Sequence, residues 1–166
     1  MKTAVISAPL YNKNHKYAVP NLGYFLSRIM KNKVLLIEIN FTAPNFQKIY
    51  SIKERIGIDS KTTMDLSQGI VYKMDRGPEI IPAKVSTEKT SAILEKSSFK
   101  TYIDNIKNQY DIILIDATSI NSMKDFSFIS EYSDGIVLII DEGKLQRDMM
   151  KNSIARLNHN NVTIIG

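Results

Sequence analysis

Four short apolar runs decide what this chain can fold into. Thr3–Ser7 reads T-A-V-I-S, Val34–Ile39 reads V-L-L-I-E-I, Ile112–Ile115 reads I-I-L-I and Gly135–Ile140 reads G-I-V-L-I-I. None keeps the strict polar–apolar alternation of a half-solvated strand. Each therefore predicts a strand covered on both faces, the habit of parallel sheets. Val162–Ile165 predicts a last strand of the same kind. Parallel neighbours need long return connections, and the segments between the runs have helical spacing. Pro20 suits a helix start, and Asn21–Met30 sets Leu22, Phe25, Leu26, Ile29 and Met30 at helical intervals. Residues 44–56 and 62–70 predict short helices, and 76–84, with two prolines, a short extended piece. Lys89–Asn108 predicts a longer helix with Ile93, Leu94, Phe99, Tyr102, Ile103 and Ile106 inward. Ser122–Tyr132 and Leu145–Leu157 predict two more. The expected fold class is α/β, a three-layer α-β-α arrangement around an open, mainly parallel sheet. Residues 1–166 are expected to form one domain, since no repeat, low-complexity segment or linker divides them.

Composition narrows the function classes. At 166 residues the chain has enough material for a sizeable core. The net charge of +5 and pI of about 9.3 permit an acidic partner, but no run of basic residues exceeds two. A dedicated nucleic-acid surface is therefore not expected, and no basic arm or helix is present. The chain has no cysteine, which excludes disulfides and thiolate metal sites and fits a reducing cytoplasm. No apolar run approaches the ~20 residues of a membrane span, and Met1 leads straight into a strand with no signal peptide. The two histidines, His15 and His159, are far apart, and no G-x-S-x-G is present, so neither a hydrolase triad nor a clustered metal site is legible.

In open α/β sheets ligands bind beyond the carboxyl ends of the strands. Three such ends stand out: Ser7–Lys16, Glu38–Pro44 and Asp116–Ile120. Their order resembles the MinD/ParA-like P-loop ATPases with a deviant Walker A motif, most of all the bacterial tyrosine kinases and their relatives in capsule and exopolysaccharide biosynthesis. In that family a strand ends in S-A-x-P-G-E-G-K-S-T, and the next helix begins A-N-L-A. Here S-A-P at 7–9 and P-N-L-G at 20–23 bracket the matching segment. The family's K-V-L-L-I-D-A-D-x-R-x-P is similar to K-V-L-L-I-E-I-N-F-T-A-P at 33–44. Its Y-D-x-I-I-I-D-T-P-P is similar to Y-D-I-I-L-I-D-A-T-S at 110–119. Its A-D-G-V-L-L-V-V-x-x-G-K-T-x-R-D is similar to the end of 125–148, S-D-G-I-V-L-I-I-D-E-G-K-L-Q-R-D. The resemblance implies a P-loop NTPase-like fold.

The departures bear on chemistry. A phosphate loop works by pointing consecutive backbone N–H groups at phosphate oxygens, which favours glycine. The stretch 10–18, L-Y-N-K-N-H-K-Y-A, has none. Counting back from Asn21 puts the phosphate-binding lysine's place on His15 and the Mg²⁺-binding hydroxyl's place on Lys16 and Tyr17. Lys13 lies near the family's signature lysine, and an exposed loop lysine is its plainer reading. Where the family has two aspartates, this chain has Glu38 and Asn40; Asn40 cannot act as base or anion. Asp116 stands at the Walker B place. It either holds Mg²⁺ through water, as the resemblance implies, or caps the next segment and bonds turn N–H groups.

Phosphoryl transfer depends on positioning and electrostatics, and each lost oxyanion-type contact costs about 10²–10³ in rate. The expectation is a pseudo-ATPase or pseudokinase with no catalytic residue, no cofactor and no metal, acting as a binding or regulatory module. The alternative is weak ATP binding through Lys13 or Lys16 with Mg²⁺ on Asp116, or slow atypical turnover. The eight tyrosines are scattered from Tyr11 to Tyr132, without the kinases' C-terminal cluster. The kinases' N-terminal assembly helix is absent too, and the chain stops at N-V-T-I-I-G, as a truncated or minimal version would. The resemblance implies a cytoplasmic protein at the inner membrane face. Its implied partners are an active paralogue, an inner-membrane polysaccharide-assembly protein or a second copy of the chain. Lys13, His15 and Lys16 are expected as surface residues free to serve such a partner.

Overall fold

The computed structural model describes residues 2–10, 15–41, 43–53, 56–58, 70–85, 97–120, 127–141 and 147–166. Five strands form one sheet: β1 (Thr3–Ser7), β2 (Val34–Glu38), β3 (Glu79–Ile81), β4 (Ile112–Asp116) and β5 (Gly135–Leu138). The described helices are α1 (Ala18–Arg28), α2 (Phe46–Ile49), α3 (Ser97–Ile106), α4 (Ser127–Tyr132) and α5 (Arg147–His159). A 3-10 turn, His15–Tyr17, leads into α1. The strand order is β3-β2-β4-β1-β5, and every pair is parallel. The apolar runs fall where they predict strands, and the three-layer α/β reading holds.

Alternation along each strand feeds two cores. Val5, Leu35, Ile37, Ile113 and Ile115 face one side, under Phe99, Tyr102, Ile103 and Ile106 of α3, Ile129 of α4 and Leu157 of α5. Ala4, Ile6, Leu36 and Leu114 face the other, under Val19 of α1 and Phe46 of α2. Gly23 lets α1 sit close on β2: a Cβ there would lie 2.6 Å from Leu36 Cδ2.

The structure resolves the buried face of α1 and corrects two expectations. The spacing that predicts α1 does not mark its buried face: Val19, Pro20 and Gly23 are buried, whereas Leu22, Phe25, Ile29 and Met30 are exposed. The last predicted strand is one parallel bridge, Ile136 to Ile164, along the edge of β5. Ile136 N–H donates to Thr163 O and Ile165 N–H to Ile136 O, each at 2.8 Å. Of the helix expected over 44–56, Phe46–Ile49 is helical among the described residues, and 54–55 lie outside them. Residues 62–69, 89–96, 122–126 and 145–146 of the expected helices lie outside the described residues, as does Lys13.

Candidate functional site

The site is built at the carboxyl ends of β1, β2 and β4. Register alone puts two acids side by side. Glu38 of β2 pairs with Asp116 of β4, and Asp116 pairs in turn with Ile6 of β1. Register partners on parallel strands share a face, so both carboxyls point to the α1/α2 side. Both are buried. The strand ends are knit together above them: Ile39 N–H donates to Asp116 O (2.9 Å), Ala117 N–H to Ile6 O (3.0 Å) and Ile120 N–H to Ala8 O (2.8 Å). Ser7 Oγ donates to Thr118 O at 2.5 Å.

Glu38 is engaged at both oxygens. Its Oε1 accepts from Asn45 N–H at 2.5 Å and Phe46 N–H at 3.1 Å, the start of α2. Its Oε2 accepts from Ala83 N–H at 3.0 Å, just past β3. One side chain therefore ties three segments together. The longer glutamate stem fits that task, which needs reach in two directions at once. Burial pushes its carboxyl up to about 7, against the opposing pull of the three amides. A carboxyl so occupied is poorly placed to handle water or a metal.

Asp116 is different. Its Oδ2 is buried without a hydrogen-bond partner. Burial, and then the neighbouring Glu38 charge, hold it well above the usual carboxylate range. The expectation that Asp116 bonds turn N–H groups does not describe this oxygen. The hydroxyl of Tyr50, past α2, is likewise buried without a hydrogen bond. Burial and the Asp116 charge both raise its pKa. Asn40 is buried, and its Oδ1 accepts from Ala43 N–H at 3.3 Å in the turn after β2.

Of the segment in the phosphate-loop place, the described residues include the His15–Tyr17 turn. His15 is buried, which corrects its reading as a surface residue, and its Nε2 lies 3.5 Å from Asp141 Oδ1, beyond β5. Lys16 is half-buried, its ammonium 4.7 Å from the ring centre of Tyr17. The structure thus brings Glu38 and Asp116 together and joins His15 to a different loop. Asp141 and Tyr50 are contributors that motif reading missed. Asp141 had a signal, an acid directly after the apolar run 135–140; Tyr50 had none.

A phosphate and its Mg²⁺ fit this set poorly. The first glycine of the chain is Gly23, inside α1, so the segment before it offers no glycine to a phosphate. The Mg²⁺-hydroxyl places hold Lys16 and Tyr17, and Glu38 is engaged. Asp116 Oδ2 is a buried carboxylate oxygen without a hydrogen-bond partner, of the kind such an ion would use. Among the described residues no group of three or more His, Asp or Glu could hold a metal.

Comparison with known proteins places this geometry. No family model matches the sequence. The fold is that of the P-loop NTPases, and MinD complexed with Mg-ADP from Pyrococcus horikoshii superposes with a TM-score of 0.68, at 20% identity over 99% of this chain and 68% of that one. Within that class the chain resembles bacterial tyrosine kinase domains. The VpsO kinase domain gives a TM-score of 0.87 at 20% identity, covering 99% of this chain and 82% of that one. The tyrosine-protein kinase CpsD of Streptococcus agalactiae is 25% identical over 87 residues, 52% of this chain. That match covers 38% of CpsD, so the chain spans well under half of this relative. The resemblance drawn from the motifs, to MinD/ParA-like ATPases and above all to bacterial tyrosine kinases, is borne out. No helix among the described residues is long and apolar enough to cross a membrane.

Proposed function

We propose that this chain is a catalytically inactive relative of the bacterial tyrosine kinases, a P-loop-type domain acting as a binding or regulatory module in capsule or exopolysaccharide assembly. One observation carries the reading: the residues in the phosphate-binding places serve the fold. His15 is buried against Asp141, and Glu38 gives both oxygens to backbone amides. The setting and the protein partners rest on the likeness to tyrosine-protein kinases such as CpsD.

A second reading has its own observation. The unpartnered Oδ2 of Asp116 suits a weakly held Mg²⁺–nucleotide, with Lys13 or Lys16 as a point charge. Calorimetric titration with Mg-ATP separates the two. A flat titration is expected. Binding near micromolar that disappears in Lys13→Ala or Lys16→Ala would sink the inactive reading.

A further inference from the structure

Seven of the ten exposed large hydrophobic residues among the described ones fall within residues 10–30. On α1, Leu22, Phe25 and Ile29 form one stripe at helical spacing, 37%, 49% and 61% exposed. The β1–α1–β2 crossover is right-handed, as such units are. That hand, with the buried face at Val19 and Gly23, turns the stripe toward the β1–β5 side of the sheet. There β5 leaves Val137 and Ile139 only half-buried, packed on the same core cluster as α1. These part-exposed apolar side chains, on α1 on one side and at Val137 and Ile139 on the other, border the proposed trough. Among the described residues, α1 and α2 are the helices on this face, and α1 packs over β2 and β4.

We propose that this trough docks an amphipathic helix of a protein partner, with acidic side chains along that helix's edge. The spacing fits. Strands lie about 4.8 Å apart, so β5 is about 10 Å beyond β4, and packed helices lie about 8–10 Å apart. On β1, Ala4 and Ile6 are already covered, so a helix laid beside α1 meets the wall at Leu22, Phe25 and Ile29 and the floor at Val137 and Ile139. Charge names the partner's edge. The chain has no Asp or Glu before Glu38, while Arg28 and Lys31 stand at the end of α1 and just beyond it. The acids at the two ends of β5 are already engaged. Asp134 accepts from the N–H groups of Lys2 and Thr3, and Asp141 pairs with His15. The α1 face of a second copy would bring the same cations and be repelled, and a flat bilayer would not reach Val137 and Ile139 on the floor.

The inference deepens the binding-module reading and rests on it, yet the two fail separately. The test uses the full chain and two designed helical peptides with the same apolar stripe, one flanked by Glu and one by Lys, followed by fluorescence anisotropy. The Glu peptide is expected to bind at least about tenfold tighter than the Lys peptide. Phe25→Ser with Ile29→Ser should weaken it about tenfold or more without lowering the melting temperature, because both side chains are exposed. Arg28→Glu with Lys31→Glu should reverse the preference. Equal affinity for the two peptides, or no binding of either, would overturn the proposal. So would binding confined to phosphatidylglycerol vesicles, or self-association abolished by Ile29→Ser. Mg-ATP titration of the same samples reports on the inactive reading alone.

Discussion

Glu38 and Asp116 sit side by side with opposite fates: one carboxyl meets three amides, and the other leaves an oxygen without a partner. Both are raised by burial, which fixes the sign of their pH dependence. Glu38 goes from an ordinary 4.5 to about 7 in the folded chain. Between those values the folded state keeps a proton that the unfolded state has lost. The contribution is therefore complete below the unfolded value and declines as pH rises through about 7. Thermal melts should show a lower midpoint at pH 8 than at pH 5. Glu38→Gln should shrink that difference. The Gln variant should also be less stable at pH 5, by about 1–3 kcal/mol, because its amide group leaves one backbone N–H unmatched. Asp116→Asn should not lower the midpoint at pH 8, since it replaces a buried acid whose Oδ2 has no hydrogen-bond partner. A fall at pH 8 would mean that Asp116 does stabilising work that the geometry does not display. The sequence marked both acids, because acids ending apolar runs are conspicuous. It could not show that Glu38 reaches an amide 45 residues away, since that contact exists only once β3 has paired with β2.

Elements were legible in proportion to how completely they are buried. The interior strands β1, β2 and β4 are lined by core residues on both faces, and their sequences say so. The segment 162–165 has the same composition but lies at the sheet edge, where one bridge and a few hydrogen bonds replace a ladder. In α1 the apolar spacing identified a helix but not its inward face, because Gly23, with no side chain, is what permits contact with Leu36. Edge docking depends on a similar small residue. At Gly135 a Cβ would lie 2.5 Å from Thr163 O and 2.7 Å from Ile165 Cγ1. Backbone cannot step aside as a flexible side chain can. Gly135→Ala should therefore push the terminal segment off β5 and cost about 1–3 kcal/mol. Urea midpoints measure the loss, and hydrogen exchange should localise it to the amides of Ile136 and Ile165. Unchanged protection there would show that the segment docks without needing the close approach.

At the scale of the whole molecule, the parallel sheet and its helical returns were readable from the apolar runs, while the strand order, with β4 between β2 and β1, and the state of the site were not. Motif positions show which residues stand where a nucleotide would bind. Whether those residues face a ligand or the protein depends on side-chain paths such as that of His15 toward Asp141. Ligand-linked stability reads out the difference over the entire chain. A site with a dissociation constant 100-fold below the ligand concentration stabilises its protein by about 2.7 kcal/mol. For a chain of this length that is a rise of roughly 5–10 °C in the melting temperature. With Mg-ADP at such an excess over a micromolar constant, the shift expected here is under about 1 °C, at pH 6 as at pH 8. The two pH values matter, because at pH 8 Asp116 is more fully charged and best able to attract Mg²⁺. A shift that emerges only at pH 8 and is lost in Asp116→Asn would establish a residual nucleotide site. No shift at either pH would leave the strand ends to the fold, and the exposed apolar face of α1 as the surface through which the domain acts.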